Sequence, residues 1–503
     1  MKDKDTKILN RRKQKLEKRL ERRPWPEKPL PQLRAQNIGY EMAERVRAID
    51  CGGIGAFHLL ACNSGLVKAI NEKVHLLKRH LPYHESDHVL NIAYNTLAGG
   101  SCLDDIELRR NDEAFMDGLG VERIPDPTTA GDFTRRFSEY TVVELMEAIN
   151  SIRPKMWKKR LSRRERREAI IDADGTHALT WGECKEGIGL SYDGNWCYHP
   201  LLISLANTAE PLYLVNRSGN CVSHDGAVVW MDRAIALVRQ SFKEVCLRGD
   251  TDFSLTAHFD RWSVEGVKFA FGMDAMPNLV KIAEGLEDKR WRVLKRREKE
   301  PLSGQRRQRP RNFKEEIVVE KGYRNIRLQG EEVAEFSYQP TKCKRPYRVI
   351  VLRKSLSVKE GQMQLWDDVR YFFYITNRSD LSAAEVVWLC NERGNQENLI
   401  EQLKNGLHAL RMPVDNLVSN WAYMVMASLA WTLKAWFALL VRKREHRDQL
   451  LAMEFRRFLN ALIRIPVQII TGGHRIVYRI LGYNQWTHTF MATFDRVRQL
   501  QLA

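Results

Sequence analysis

The stretch Cys390-Asn-Glu-Arg393-Gly-Asn-Gln-Glu397-Asn-Leu-Ile-Glu-Gln-Leu-Lys404 sets two cations and a carboxylate in the frame R-x3-E-x6-K. Its pattern predicts one helix. On a helix, Arg393 and Glu397 stand four residues apart on one face, and Lys404 follows two turns on, on the same side. A carboxylate between two cations is poor material for a core face and good material for holding a metal ion beside a phosphodiester. By itself an R-x3-E pair is a common surface ion pair, worth about 0.3–0.5 kcal/mol. Two upstream segments make it more specific. Ala169-Ile-Ile-Asp-Ala-Asp174-Gly-Thr176 and Val245-Cys-Leu-Arg-Gly-Asp250-Thr251 both read as short apolar strands ending on an aspartate.

Two strand-end aspartates and one helical glutamate suit phosphoryl transfer. Two divalent ions about 4 Å apart activate the attacking oxygen and stabilise the leaving one. Mg²⁺ takes a few carboxylates together with water and phosphate oxygens. Asp174, Asp250 and Glu397 are therefore the candidate catalytic and metal-holding residues, with Mg²⁺ the expected cofactor and Mn²⁺ its substitute. Each has competitors. Asp172 shares a strand face with Asp174, Asp252 lies two residues past Asp250, and Glu392 and Glu401 flank Glu397. Asp174 is preferred because Gly175-Thr176 ends its strand, and Glu397 because it alone sits within the two-cation frame.

At 503 residues the chain suits three or four domains of roughly 150 residues each. Lys and Arg number 81 against 63 acidic residues, a net charge of +18. That surplus suits a polyanion, because each cation–phosphate contact releases counterions. A basic chain would also suit a membrane surface, but no uninterrupted run of about 18 apolar residues is present. The most apolar region, Trp421–Val441, is broken by Ser428, Thr432 and Lys434 and is expected to be a buried helix. The N-terminus is charged from its second residue, so no signal peptide is expected. Nine cysteines without a CxxC pair argue against a disulfide framework and for a reducing cytoplasm. Cys184, Cys197, His199, Cys221 and His224 come nearest to a zinc pattern, but their spacing is too uneven to match one.

Along the chain, residues 1–35 form a basic tail and linker, with thirteen Lys or Arg and with Pro24, Pro26, Pro29 and Pro31 near its end. Charge alone fits a solvated tail or an arm tracking DNA phosphates equally well. Residues 36–160 read as a helical DNA-binding region. Ser86 is placed to cap a helix over Asp87–Leu97. The segment Pro125–Phe137 looks like a helix opening at Thr128 or Thr129. Its tip, Thr134-Arg135-Arg136, resembles a helix-turn-helix recognition element, which makes Arg135 and Arg136 DNA-binding candidates. A plain helical bundle accounts for the same pattern. Residues 161–290 read as the first part of an α/β catalytic core, entered through a basic run from Lys155 to Arg167. Alternating strands at Glu316–Glu320, Val333–Tyr338, Tyr347–Leu352 and Tyr371–Thr376, after a basic run from Arg290 to Arg311, mark 291–376 as a β-rich insertion. The last of these strands is open to either part. Residues 377–412 carry the Glu397 helix, and 413–503 are helical, a candidate for dimerisation.

Asp174-Gly-Thr, Arg248-Gly-Asp-Thr-Asp-Phe253 and Cys390–Lys404 resemble the bacterial insertion-sequence DDE transposases that bear a Y-x2-R-x3-E-x6-K signature, of the insertion sequence 4/1380 type. The resemblance runs over most of the chain. It includes Gly100-Ser-Cys-Leu-Asp-Asp-Ile-Glu-Leu-Arg-Arg110, the Thr128–Phe137 segment and Tyr198-His-Pro-Leu-Leu202. It implies a ribonuclease-H-like core interrupted by the β insertion. It also implies cut-and-paste movement of double-stranded DNA between terminal inverted repeats and a target, by a homodimer using Mg²⁺. Carried onto this chain, the triad is Asp174, Asp250 and Glu397, with Arg393 and Lys404 on phosphates at the transposon end. The family's tyrosine position holds Cys390, and a thiol lacks the phenol's reach to a phosphate. Trp291 and Trp366 are candidates for stacking on a flipped base, although core packing explains each as well. Two other functions fit the same residues: a catalytically idle DNA-binding regulator of the element, and a structure-selective nuclease.

Overall fold

The computed structural model describes residues 3–21, 35, 38–42, 44, 46–80, 82–180, 182, 184–295, 324–360, 363–473 and 475–502, with backbone alone over 324–327, 358–360 and 363–367. The linker prolines, the expected strand Glu316–Glu320, most of the 290–311 basic run and the Trp366 side chain lie outside the described residues. The chain divides into two units, Trp157–Glu401 and a second made of Met1–Met156 with Gln402–Ala503.

In the first unit the run ending at Asp174 is strand β1 (Glu168–Gly175), buried on both faces along most of its length. β2 (Leu201–Leu205) and β3 (Glu210–Val215) follow as antiparallel neighbours. Helix α1 (Ala227–Arg239) then packs on β1, β2 and β3. The chain returns on the other side of β1 as β4 (Glu244–Gly249), parallel to it, and β5 (Lys268–Met273) adds parallel to β4. Next come β6 (Arg292–Val293), β7 (Arg324–Tyr338), β8 (Tyr347–Glu360) and β9 (Met363–Thr376). These nine strands form one sheet in the order β6-β7-β8-β9-β5-β4-β1-β2-β3. The join is made by Phe373–Thr376 of β9 against Ala270–Met273 of β5.

Strands β7–β9 are longer than alternation predicts, at 15, 14 and 14 residues. At about 3.3 Å per residue they extend ~45 Å. Cross-strand ion pairs add to their apolar packing. Arg353 pairs with Glu332 at 2.8 Å, Lys354 with Glu331 at 3.7 Å, and Arg348 with Glu335. Where a strand meets its neighbours through charge, the hydrophobic period is interrupted. Helix α2 (Ala383–Asn391) opens on a Ser382–Glu385 capping box. It lays Val386, Val387, Leu389 and Cys390 on a core that includes Cys246 and Ala270 of β4 and β5 and Val333, Ile350 and Leu352 of β7 and β8. One helix thus covers strands from both the core and the expected insertion.

In the second unit the apolar helix Leu417–Leu439 is capped by the Asn416 side chain, which accepts from Ser419 N at 2.8 Å. By length and composition it could cross a bilayer, yet its whole apolar window is buried inside the unit. Helices Ile54–Asn63, Glu85–Leu97, Pro127–Thr134 and Glu139–Asn150 pack around it. The segment read as a recognition element, Pro125–Phe137, forms the third of these, Pro127–Thr134, and the short turn after it. Its cap is Asp126, whose carboxylate accepts from the Thr129 N–H at 2.9 Å and hydroxyl at 2.7 Å, with Pro127 in the first turn. The earlier helix begins at Glu85 rather than Asp87; Asp87 instead accepts from His84 N at 2.8 Å. A three-stranded sheet joins the unit's two segments, pairing Ala48–Ile49 with Val467–Gly472, which also pairs with Arg475–Ile480.

Lys434 lies in the middle of the apolar helix at 1% exposure. Its Nζ donates to Leu451 O at 3.0 Å and sits 3.5 Å from the centre of the Trp431 ring. Burial holds its ammonium well below the usual lysine range. The unfolded chain therefore binds a proton that the folded chain resists, so this residue costs stability increasingly as pH falls below its unfolded value of about 10.4. Lys434→Met should raise Tm more at pH 6 than at pH 9, the gap reflecting roughly 1 kcal/mol per pH unit within the titration window. Thermal melts across that range check it.

Candidate functional site

The parallel register of β1 and β4 sets Asp172 beside Arg248. Two residues further along each strand, on the same face, stand Asp174 and Asp250. The inner pair is closed. Arg248 donates to Asp172 from Nε at 2.5 Å and Nη2 at 2.7 Å, and both side chains are 1% exposed. Its Nη1 donates to Leu389 O at 2.6 Å, near the end of α2. A planar fork thus ties β1, β4 and α2 together directly behind the outer aspartates. Asp172, the competitor of Asp174, is committed to this pair.

After α2 the chain does not continue as the single helix expected over Cys390–Lys404. It breaks at Glu392-Arg393, resumes as α3 (Gly394–Glu401), and becomes a π-helical turn over Gln402–Gly406. The helix-poor glycine at 394 marks the break. Lys404 falls in the π turn, within the second unit. Arg393 sits in the break, and its guanidinium meets all three predicted carboxylates. Nη1 lies 3.1 Å from Asp250 and 3.4 Å from Asp174, and Nη2 lies 3.2 Å from Glu397. The expected Arg393–Glu397 pair therefore forms across the helix start, but its arginine also reaches both strand ends. Next to Glu397, buried Gln396 contacts Ser204 and donates to Leu202 O at 3.3 Å, which fixes α3 to β2.

Burial pushes the Asp174 carboxyl up to about 7, with Arg393 opposing and the charges of Asp250 and Glu397 adding to the rise. Burial raises Asp250 as well, again against Arg393. Asp252 is exposed in the following turn and gives its backbone N–H to Asp250 at 3.1 Å. Gly175 is required where it stands: a Cβ there would come within 2.7 Å of His199 Nε2. Glu392, a competitor of Glu397, lies 3.8 Å from Arg248, and Glu401, the other, closes α3 one turn past Glu397.

An open cleft of about 480 Å³ adjoins these groups, lined by Asp250, Arg393 and Glu397 and by Tyr371, Phe372 and Tyr374 of β9. The sequence left the strand of these aromatics open between insertion and core and did not single them out; the pairing of β9 with β5 brings them to the site. Trp291 is buried with its ring 4.1 Å from the Arg353 guanidinium, a packing role. Cys390 faces the core beneath α2, and burial pushes its thiol up to about 12. Arg135 is engaged within its own unit, 2.9 Å from Asp132 and 3.1 Å from Asp415, whereas Arg136 is exposed beside it. His199 Nδ1 pairs with Cys221 O at 2.9 Å. The metal-type cluster found among the described residues is His80, His84 and Glu85, which the sequence did not single out.

The chain matches the model of the family described as transposase DDE domain group 1 over residues 50–502 and belongs to that family. The chain is therefore a transposase of the DDE type. Among solved structures it is similar to a piggyBac transposase synaptic complex with hairpin DNA, determined by cryo-EM, at 9% identity over 82% of each chain and a TM-score of 0.36. No curated protein matches it.

Arg248→Met would leave Asp172 as an unpaired buried charge and should cost about 3–5 kcal/mol. Asp172→Leu combined with Arg248→Met should recover most of that loss. Denaturant unfolding of the single and double variants checks both.

Proposed function

We propose that this DDE transposase binds the terminal inverted repeats of its element, cleaves the DNA there and joins the freed 3′ ends to target DNA in a cut-and-paste reaction. One observation carries the reading: Asp174, Asp250 and Glu397 arrive from three separate elements and converge on one guanidinium. The strand order β3-β2-β1-β4-β5, with β1, β4 and β5 parallel and β2 antiparallel, supports a ribonuclease-H-like core bearing β6–β9 as its insertion.

The donor set fits a hard divalent cation. It is made of carboxylate oxygens, and it already accepts a cationic group, the Arg393 guanidinium. We assign Asp174, Asp250 and Glu397 to hold Mg²⁺, with Mn²⁺ as its substitute. Bound there, divalent ions would activate the attacking oxygen and stabilise the leaving oxygen. The chain's own part is placement. The register of β1 and β4 sets the two aspartates side by side, and the Arg248 fork and the Gln396 anchor hold α2 and α3 over them. Arg393 and Lys404 are assigned to end-DNA phosphates, Arg393 as a fork and Lys404 as a point charge. Exposed Arg136 is assigned to end DNA directly, and Arg135 once it leaves its acidic partners. The net charge of +18 and nine free thiols support a DNA-bound enzyme at the bacterial nucleoid. We assign it a homodimeric synaptic complex.

Asp174→Ala, Asp250→Ala and Glu397→Ala should each abolish strand cleavage in Mg²⁺ while largely keeping affinity for end DNA, since affinity rests mostly on cations at phosphates. Cleavage and gel-shift assays on labelled ends check this. A variant that still cuts at near wild-type rate is not a ligand, and a wild-type protein that binds ends without cutting is a regulator. Arg136→Ala and Lys404→Ala should weaken end binding and lower the salt slope of log K by about 1 each. Affinity titrations between 50 and 200 mM salt, on the order used for such slopes, check that.

A further inference from the structure

Arg393 has a peculiar set of partners. Its guanidinium hydrogen-bonds to Asp174, Asp250 and Glu397, and among the described residues no other side chain or carbonyl holds it. It rises from a two-residue break between helices, at 21% exposure, and is followed by Gly394, around which a Cβ would meet nothing within 4 Å. The arginine also lines the open cleft of about 480 Å³, which gives its stem room to move. What docks it is the carboxylate set itself. The guanidinium lies between the three carboxylates, in the space that a divalent cation held by all three would take.

We propose that Arg393 competes with the divalent cations for Asp174, Asp250 and Glu397, so that cation binding and arginine docking exclude each other. This rests on the assignment of these carboxylates as the cation site. The docked state lowers the apparent cation affinity by the fraction of time the carboxylates are free: docking for about 90% of the time costs about tenfold. A DNA phosphate that draws the guanidinium away removes that competition. By linkage, cation binding then strengthens the arginine's contact with the phosphate by the same factor. The residue couples the arrival of end DNA to the filling of the site, and without end DNA the site fills poorly.

The test is Mn²⁺ binding to the full-length protein without DNA, read by the loss of the free-ion electron paramagnetic resonance signal. Arg393→Ala and Arg393→Gln should both bind Mn²⁺ about tenfold more tightly than the wild type. Arg393→Lys separates displacement from plain charge repulsion, because it keeps the charge and loses the fork across Nη1 and Nη2. Displacement places it between wild type and the neutral variants. Affinity equal to wild type in Arg393→Lys, or unchanged or weaker binding in both neutral variants, overturns the proposal. Asp174→Ala reports on the underlying assignment: it should lose the site in either background. If it binds Mn²⁺ as the wild type does, the carboxylates are not the cation site, and that result is distinct from a failure of the competition.

Discussion

A buried arginine and a buried aspartate are each costly to remove from water, by several kcal/mol after relaxation. In this chain they are adjacent in register, bidentate and 1% exposed, and the arginine gives a further donor to a helix carbonyl. That geometry constrains three elements at once. Sliding β1 against β4 by one residue would turn Asp172 away from Arg248 and put Asp174 on the opposite face from Asp250. Shifting α2 along its axis would strip Arg248 Nη1 of Leu389 O. The site at the strand ends is thus set from beneath, by a pair that takes no part in its chemistry.

Above that pair the balance of charge reverses. Three carboxylates face one guanidinium, and burial lifts Asp174 to about 7 and raises Asp250. Such crowding of like charge is destabilising in isolation and is typical of sites built to receive a cation. The inner pair is electrically closed and rigid; the outer cluster is electrically open. Both grow from the same two strands, two residues apart.

Much of this was legible in the sequence. The strands ending at Asp174 and Asp250 announce themselves as apolar runs cut off by glycine and an acid, and their positions hold. The carboxylates named from spacing lie together around Arg393. Three things were hidden. The helix break at Arg393 was hidden because a glycine inside an otherwise helical pattern is read as tolerated. The reach of β7–β9 was hidden because ion pairs such as Arg353–Glu332 interrupt their apolar period. The closeness of Tyr371, Phe372 and Tyr374 to the site was hidden because it follows from the pairing of β9 with β5, a partnership across about a hundred residues that no local pattern encodes.

The second unit is assembled from both ends of the chain, with the whole of Trp157–Glu401 between its parts. Ala48–Ile49 finds its strand partner only at Val467–Gly472, and the helices around Ile54–Asn63 and Glu85–Leu97 find their central helix only at Leu417–Leu439. At ribosomal rates of about 5–20 residues per second, the first of these waits roughly 20–80 s for its partner to be made. During that interval the amino-terminal helices carry uncovered apolar faces, while the unit bearing the carboxylates can close on its own sheet. The order of synthesis thus makes the helical unit the last to mature, and the stage at which a nascent chain is most open to chaperones and proteases.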